Sequence, residues 1–264
     1  MVNRLPNIVR WLVLMLVLIV LGCGQKHVAD TSTSEPDIAA RVVVGTYVPR
    51  AIRATGGYDS WIKTKRLELD CVVTFYNPDG SFYLTEQHHE IYPWLGSVRI
   101  SALEPQGKLV WQLSGESFRV LEESGQADHL PTPIYARDFA EAVLYMTTVP
   151  IRFLDSNVEF DETLVPIKME GLWYYPIEQV SRDLKPYWSR VVLYQSRDTS
   201  FVDMIWFADI DSERYLAVRS YDYSKVEKKS VLVPTKIEIF KTNAKGVLQQ
   251  RLVKVDYYSL ESTE

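Results

Sequence analysis

From Arg66 to Tyr76 the chain reads RLELDCVVTFY, with Leu67, Leu69, Cys71, Val73 and Phe75 on every second position, the period of a strand that buries one face. NPDG follows and closes a hairpin into SFYLTEQHHEIY. Further strands are predicted over Gly96 to Leu103, Lys108 to Leu113 and Ser117 to Glu122. In the second half they are predicted over GLWYYPIEQV, SRVVLYQS, SFVDMIWFAD, RYLAVRSYDY, VLVPTKIEIF and GVLQQRLVKVDYYSL. Pro176 assigns the first of these to an edge or a bulge, because proline has no N–H for the ladder. Two segments carry helical spacing instead. Val44, Tyr47, Val48 and Ile52 run up to a stop at Gly56–Gly57, with Pro49 expected to kink that helix. Ala136, Phe139, Ala140, Val143, Leu144 and Thr147 make one apolar face of a second helix, with Thr132 as its cap, Pro133 as its first residue and Pro150 as its end. The stretch after it reads as irregular.

Some ten or eleven strands joined mostly by short turns, with helices inserted rather than alternating, exclude a parallel α/β fold. The fold class expected is α+β, mainly β: a single curled antiparallel sheet whose concave face is filled by the two amphipathic helices.

The front of the chain follows another pattern. Trp11 to Leu21 is an unbroken apolar run, too short for the roughly 20 residues of a spanning helix. Arg4 and Arg10 precede it and small residues follow, which is the order of a secretory signal. Val20-Leu21-Gly22-Cys23 resembles a bacterial lipobox, which implies that Cys23 is acylated and becomes the first residue of the mature chain. The alternatives are an incidental cysteine behind an ordinary signal, or an uncleaved anchor. Residues 1–22 are thus expected to be a signal peptide. Residues 23–37, small and polar, are expected to be a flexible tether, and 38–264 one domain. Losing Arg4 and Arg10 takes the formal charge from −5 to −7 over the remaining 242 residues, and nothing basic is left to grip nucleic acid.

Two stretches, ATGGYDSWIKTKRLEL and WFADIDSERYLAVRSYDYSKVEKKSVLVPTKIEIF, resemble the LolA/LolB-like superfamily of periplasmic lipoprotein carriers. Gly56, Gly57 and Trp61 fit that family's glycine turn before the first strand. Asp209, Asp211 and Pro234 fit its acidic turn and later proline-initiated strand. The resemblance implies an unclosed β-barrel with helices as a lid, and a bacterial envelope protein, its domain periplasmic, that binds a lipid or the acyl chains of a lipoprotein. A lipobox is absent from soluble LolA carriers, so this chain is nearer the tethered LolB or mycobacterial lipid-carrying lipoproteins. No functional residue of either carrier can be placed on this sequence.

Motifs that carry bond chemistry are missing: there is no G-x-S-x-G, G-x-G-x-x-G, P-loop or C-x-x-C. His88 and His89 are neighbours on a strand and point to opposite faces, which argues against a shared metal. His27 and His129 read as solvated surface, Cys71 as a core cysteine and the Asp209–Asp211 pair as a turn. No catalytic residue, cofactor or metal is therefore expected. The aromatic residues on the strands pack the core or line an apolar cavity beneath the helices, and the candidate ligand-binding set is Phe139, Val143, Trp111, Trp173 and Trp206. Three functions remain: a lipid-anchored carrier or acceptor of a hydrophobic ligand, a non-enzymatic sensor or interaction protein on the same fold, and an envelope enzyme.

Overall fold

Thirteen antiparallel strands form one sheet in the computed structural model, which describes residues 47–104, 107–124, 133–155, 158–181, 186–227 and 230–263. The strands are β1 (Arg66–Tyr76), β2 (Phe82–Tyr92), β3 (Ser97–Glu104), β4 (Gly107–Ser114), β5 (Ser117–Ser124), β6 (Val158–Asp161), β7 (Ile167–Met169), β8 (Leu172–Ser181), β9 (Arg190–Ser196), β10 (Val202–Asp209), β11 (Arg214–Lys225), β12 (Leu232–Thr242) and β13 (Leu248–Thr263). They pair in the order β5-β4-β3-β2-β1-β13-β12-β11-β10-β9-β8-β6, and β7 pairs with β8. The sheet does not close, and its two ends are β5 and β6. Among the described residues the helices are α1 (Val48–Ala54), α2 (Tyr58–Ile62) and α3 (Ala136–Arg152), with a 3-10 turn at Pro93–Leu95. The chain divides between Ile38 and Ala39, and every described residue lies in the second unit. That unit contains the whole sheet and its own hydrophobic core, as an independently folding domain does.

The curled, unclosed sheet with helices on its concave side is the architecture expected. Leu67, Leu69, Cys71, Val73 and Phe75 of β1 are all buried on that side, which confirms the register read from their alternation. The glycine turn has a packing reason. Gly56 has a φ of 114°, and a Cβ on it would run into the backbone of Ser230, while Leu232 N–H donates to Thr55 O at 3.0 Å. Trp61, fully buried, donates its indole N–H to Thr55 O at 3.1 Å. The α1 end, the turn and the start of β12 are thereby locked together.

Several local expectations need correction. Two short strands, β6 and β7, lie in the stretch that read as irregular; four and three residues are too few to display a period. Pro49 does not kink α1 but occupies its first turn, where no N–H partner is lost. Helix α3 begins at Ala136, behind an extended Tyr135, and not at Pro133; Thr132, the expected cap, lies outside the described residues. It also runs through Pro150. The cost appears at Thr148, whose φ of −120° and ψ of 16° kink the helix, and the hydroxyls of Thr147 and Thr148 bond back to Val143 O at 2.7 Å and Leu144 O at 2.5 Å. Pro176 sits where expected. It pairs with Tyr194 of β9, and on its other side it falls in the gap between the residues of β8 held by β7, up to Tyr174, and those held by β6, from Glu178.

Helix α3 does not present a single buried face. Every residue from Asp138 to Ile151 is buried, because the sheet curls round the helix and the 3-10 turn and α1 meet it as well. Two carboxylates, Asp138 and Glu141, are enclosed with it, and burial of charge demands partners.

Candidate functional site: the cleft at the start of the buried helix

The partners of Asp138, Tyr187 and Arg214, converge from two distant segments. Tyr187, in the connection before β9, donates its hydroxyl to Asp138 Oδ1 at 2.5 Å. Arg214, the first residue of β11, donates from Nη1 to the same oxygen at 3.0 Å and to the Tyr187 hydroxyl oxygen at 2.8 Å; its Nη2 lies 3.4 Å from Asp209 Oδ2 at the end of β10. Arg137 lays its guanidinium 3.6 Å from the centre of the Tyr187 ring, and Arg214 stacks on Trp188 at 4.4 Å. Burial pushes the Asp138 pKa up, and the Tyr187 hydrogen bond and Arg214 oppose it. Glu141, one turn further on, is pushed up to about 7 by burial, against the pull of Arg152 and Arg137. This hub clamps the first turn of α3 to the ends of β10 and β11.

Beside the hub a cleft of about 920 Å³ opens. Ile134, Leu216 and Leu252, all buried, give it an apolar floor, and Asp138, Asp209, Arg214 and Lys241 supply charge to its lining. It lies where the β1–β2 and β10–β11 turns and the adjoining ends of β12 and β13 meet the start of α3. Its volume suits a small molecule, and its lining suits an amphiphile: an apolar base under a rim of mixed charge.

The five sequence-derived candidates do not form one site. Phe139 and Trp111 meet beneath α3 with ring centroids 6.1 Å apart, and Phe75 and His89 join Phe139 at 5.8 Å and 6.0 Å. Val143 is fully buried on the same helix. Side chains thus fill this space, and the opening between α1 and α3 is only about 10 Å³. Trp206 lies on the other face of the sheet. Its neighbour Phe207 touches Tyr145 of α3 at 5.2 Å, whereas Trp206 packs with Val192, Met204 and Ala217 on the convex side and donates its N–H to Thr242 Oγ1 at 3.1 Å. Trp173, at the start of β8, is 44% exposed. Cys23, His27 and His129 lie outside the described residues.

A polar chain also runs beneath the helix. His89 Nδ1 is 3.0 Å from the Tyr257 hydroxyl, its Nε2 is 2.9 Å from Gln87 Oε1 and 3.6 Å from Cys71 Sγ, and Gln87 donates to Thr85 Oγ1 at 2.9 Å. A cysteine beside a histidine is the geometry of a nucleophile. Here burial lowers the His89 pKa to about 3 and raises that of Cys71 well above its usual value, so the pair is thiol and neutral imidazole and lacks the thiolate that attack requires. Cys71 is a core cysteine, as its position in the strand pattern indicated. His88 points the other way, 2.6 Å from Asp70 Oδ1, and among the described residues no cluster of histidine, cysteine and carboxylate groups is placed to hold a metal ion.

Sequence reasoning missed the hub. Asp209 ends β10 and borders the turn, where it accepts from the Ser212 hydroxyl at 2.5 Å, but it also faces Arg214. The available signal was the spacing of Asp138, Glu141 and Tyr145, which sets polar groups in a row along a helix otherwise rich in apolar residues.

No family model matches this chain, and no curated protein does. Among solved structures, a LolA superfamily protein of Nitrosomonas europaea is similar at 11% identity over 83% of this chain and 95% of that one, with a TM-score of 0.53. A DUF1329 family protein of Desulfovibrio piger, 12% identical over 85% and 92%, has a TM-score of 0.47. A Vibrio parahaemolyticus domain described as outer membrane lipoprotein-sorting, 11% identical over 81% and 93%, has one of 0.45. The first of these likenesses, together with the open sheet and its enclosed helix, establishes a LolA-like fold for this chain.

Proposed function

We propose that this chain is a lipid-anchored protein of the bacterial envelope, held by an acylated Cys23, whose domain receives a hydrophobic ligand such as a lipid or the acyl chain of a lipoprotein. The observation that carries this reading is the cleft, whose apolar floor of Ile134, Leu216 and Leu252 opens at the start of a helix enclosed by a LolA-like sheet. Burying an acyl chain on such a floor supplies about 25 cal/mol per Å², less the cost of ordering the chain. Because the space under α3 is filled by Phe139, Trp111 and Val143, a ligand that goes deeper than the cleft has to displace the helix, and the Asp138–Tyr187–Arg214 hub is what resists that movement. The chemistry is binding, and no bond is made or broken.

Native mass spectrometry of the Ala39–Glu264 domain, with a fluorescent fatty acid added to a second sample, tests the proposal. A specific added mass or saturable fluorescence, weakened by Ile134→Asp at an unchanged unfolding temperature, is the expected result. A domain that takes up neither ligand overturns it. The packed interior favours one other reading, an interaction protein that uses this fold without a ligand; a stable protein partner with no lipid in the complex is its signature.

A further inference from the structure

The convex face carries a second pocket, independent of the cleft. The β12–β13 turn folds over this face and is held by its own hydrogen bonds, with Asn243 Oδ1 accepting from Lys245 N at 2.9 Å and Val247 N at 3.1 Å. Gly246, at a φ of 77°, faces the Trp206 indole, which a Cβ added there would meet at 3.8 Å. The β7–β8 hairpin covers the same face from the other side. Between the two covers lies a pocket of about 450 Å³ walled by Met169, Tyr194, Met204, Val247 and Leu248, well within the roughly 300–1,000 Å³ of small-molecule sites.

One cation in this wall has an unusual partner. Arg219 is only 17% exposed, and its Nη1 lies 3.0 Å and 2.9 Å from the two carboxylate oxygens of Glu170, which is 64% exposed. Glu170 belongs to the two-residue turn joining β7 to β8 and has a φ of 49°, followed by Gly171 at 86°. Such turns favour Asn-Gly or Asp-Gly, and a glutamate there is strained. Asparagine would ease the backbone but could not bring a carboxylate to Arg219. The rim also holds Lys245, and Asp203 is the second acid near Arg219. Exchange of Glu170 for a ligand's carboxylate leaves the charge around the guanidinium unchanged.

We propose that this pocket binds a small apolar acid, its chain against Met169, Met204 and Leu248 and its carboxylate on Arg219, with Glu170 as the internal occupant it displaces. The site does not depend on the cleft, and a domain with no ligand at Leu252 can still fill it.

The probe is sodium decanoate below its micellar concentration, titrated into the Ala39–Glu264 domain with methyl-labelled methionine. The Met169 and Met204 methyl signals should shift saturably. Glu170→Asn, which suits the left-handed turn, should bind about threefold or more tighter because the competing carboxylate is gone. Arg219→Gln should bind about tenfold or more weaker, as expected for a lost charge-assisted hydrogen bond. Decanol that binds as tightly as decanoate overturns the assignment of Arg219. Absence of methyl shifts in both the unaltered domain and Glu170→Asn overturns the site, as does binding that Glu170→Asn weakens. Should Arg219→Gln fail to fold, the decanol comparison and Glu170→Asn decide the matter.

Discussion

The two wings of the sheet use the same strand geometry under different cover. In β1 and β2 the alternation is clean: Leu67, Leu69 and Ile91 are fully buried, while Phe82 and Leu84 on the outer face of β2 are 60% and 52% exposed. In β9 and β10 both faces are enclosed. Ile205 and Phe207 turn toward α3, and Met204, Trp206 and Ala208 turn outward under Leu164 and Met169 of the β6–β8 segment and Leu248 at the start of β13. Where a sheet is covered once, a two-residue period records which side faces the core. Where it is covered twice, the strand becomes a continuous apolar run, and the sequence no longer says which residue faces which cover.

That contrast can be broken or sharpened by substitution. The largest effect is expected from Phe139→Ala, which empties the centre of the ring cluster beneath α3 and should cost about 3–5 kcal/mol in denaturant unfolding. Trp206→Ala comes next, at about 3 kcal/mol, because the convex cover of this wing is a second core; a loss of only a few tenths would show that the cover adds nothing.

A pH series separates the enclosed helix from either face. Glu141 has a folded pKa raised to about 7 from an ordinary 4.5, so the folded domain holds a proton that the unfolded chain releases between these values. Stability should therefore fall as pH rises from about 4.5 to 7, by an amount on the order of 3 kcal/mol for this group. His89, lowered to about 3, acts in the opposite direction below pH 6.5, so the measurement is the difference between the unaltered domain and Glu141→Gln at each pH. Equal pH profiles would remove Glu141 as the cause. The smallest effect belongs to Leu84→Ala on the singly covered wing. It should stay within about 0.5 kcal/mol, against the much larger loss at Trp206.

Outside the domain, Cys23→Ser should leave an unprocessed precursor. A variant that matures to the same size and still partitions with membranes would refute the lipobox reading.

Much of the fold was legible because burial on one side writes itself into the chain as a period. The β1 pattern, the inward Cys71, the separation of His88 from His89 and the gap at Pro176 all follow from alternation and from the missing proline N–H. Of the candidate ligand residues, Phe139, Val143 and Trp111 are gathered under α3, but Trp206 is not, since a strand enclosed on both faces gives the indole two equivalent interiors. The cleft had no motif to announce it. Its hub joins residues 138, 187, 209 and 214, each an ordinary polar residue in its own segment.

By itself the sequence determined the elements whose cause is local: alternating strands, the glycine stop at Gly56, the helical spacing of α3 and the absence of the common catalytic motifs. The tertiary structure alone decided how far the sheet curls round α3, which of two buried faces receives each aromatic ring, and that Asp138 would meet Tyr187 and Arg214. The physical reason is that a period reports only whether a side chain leaves water. What it meets there depends on which distant strands the curl brings together, and no local spacing encodes that.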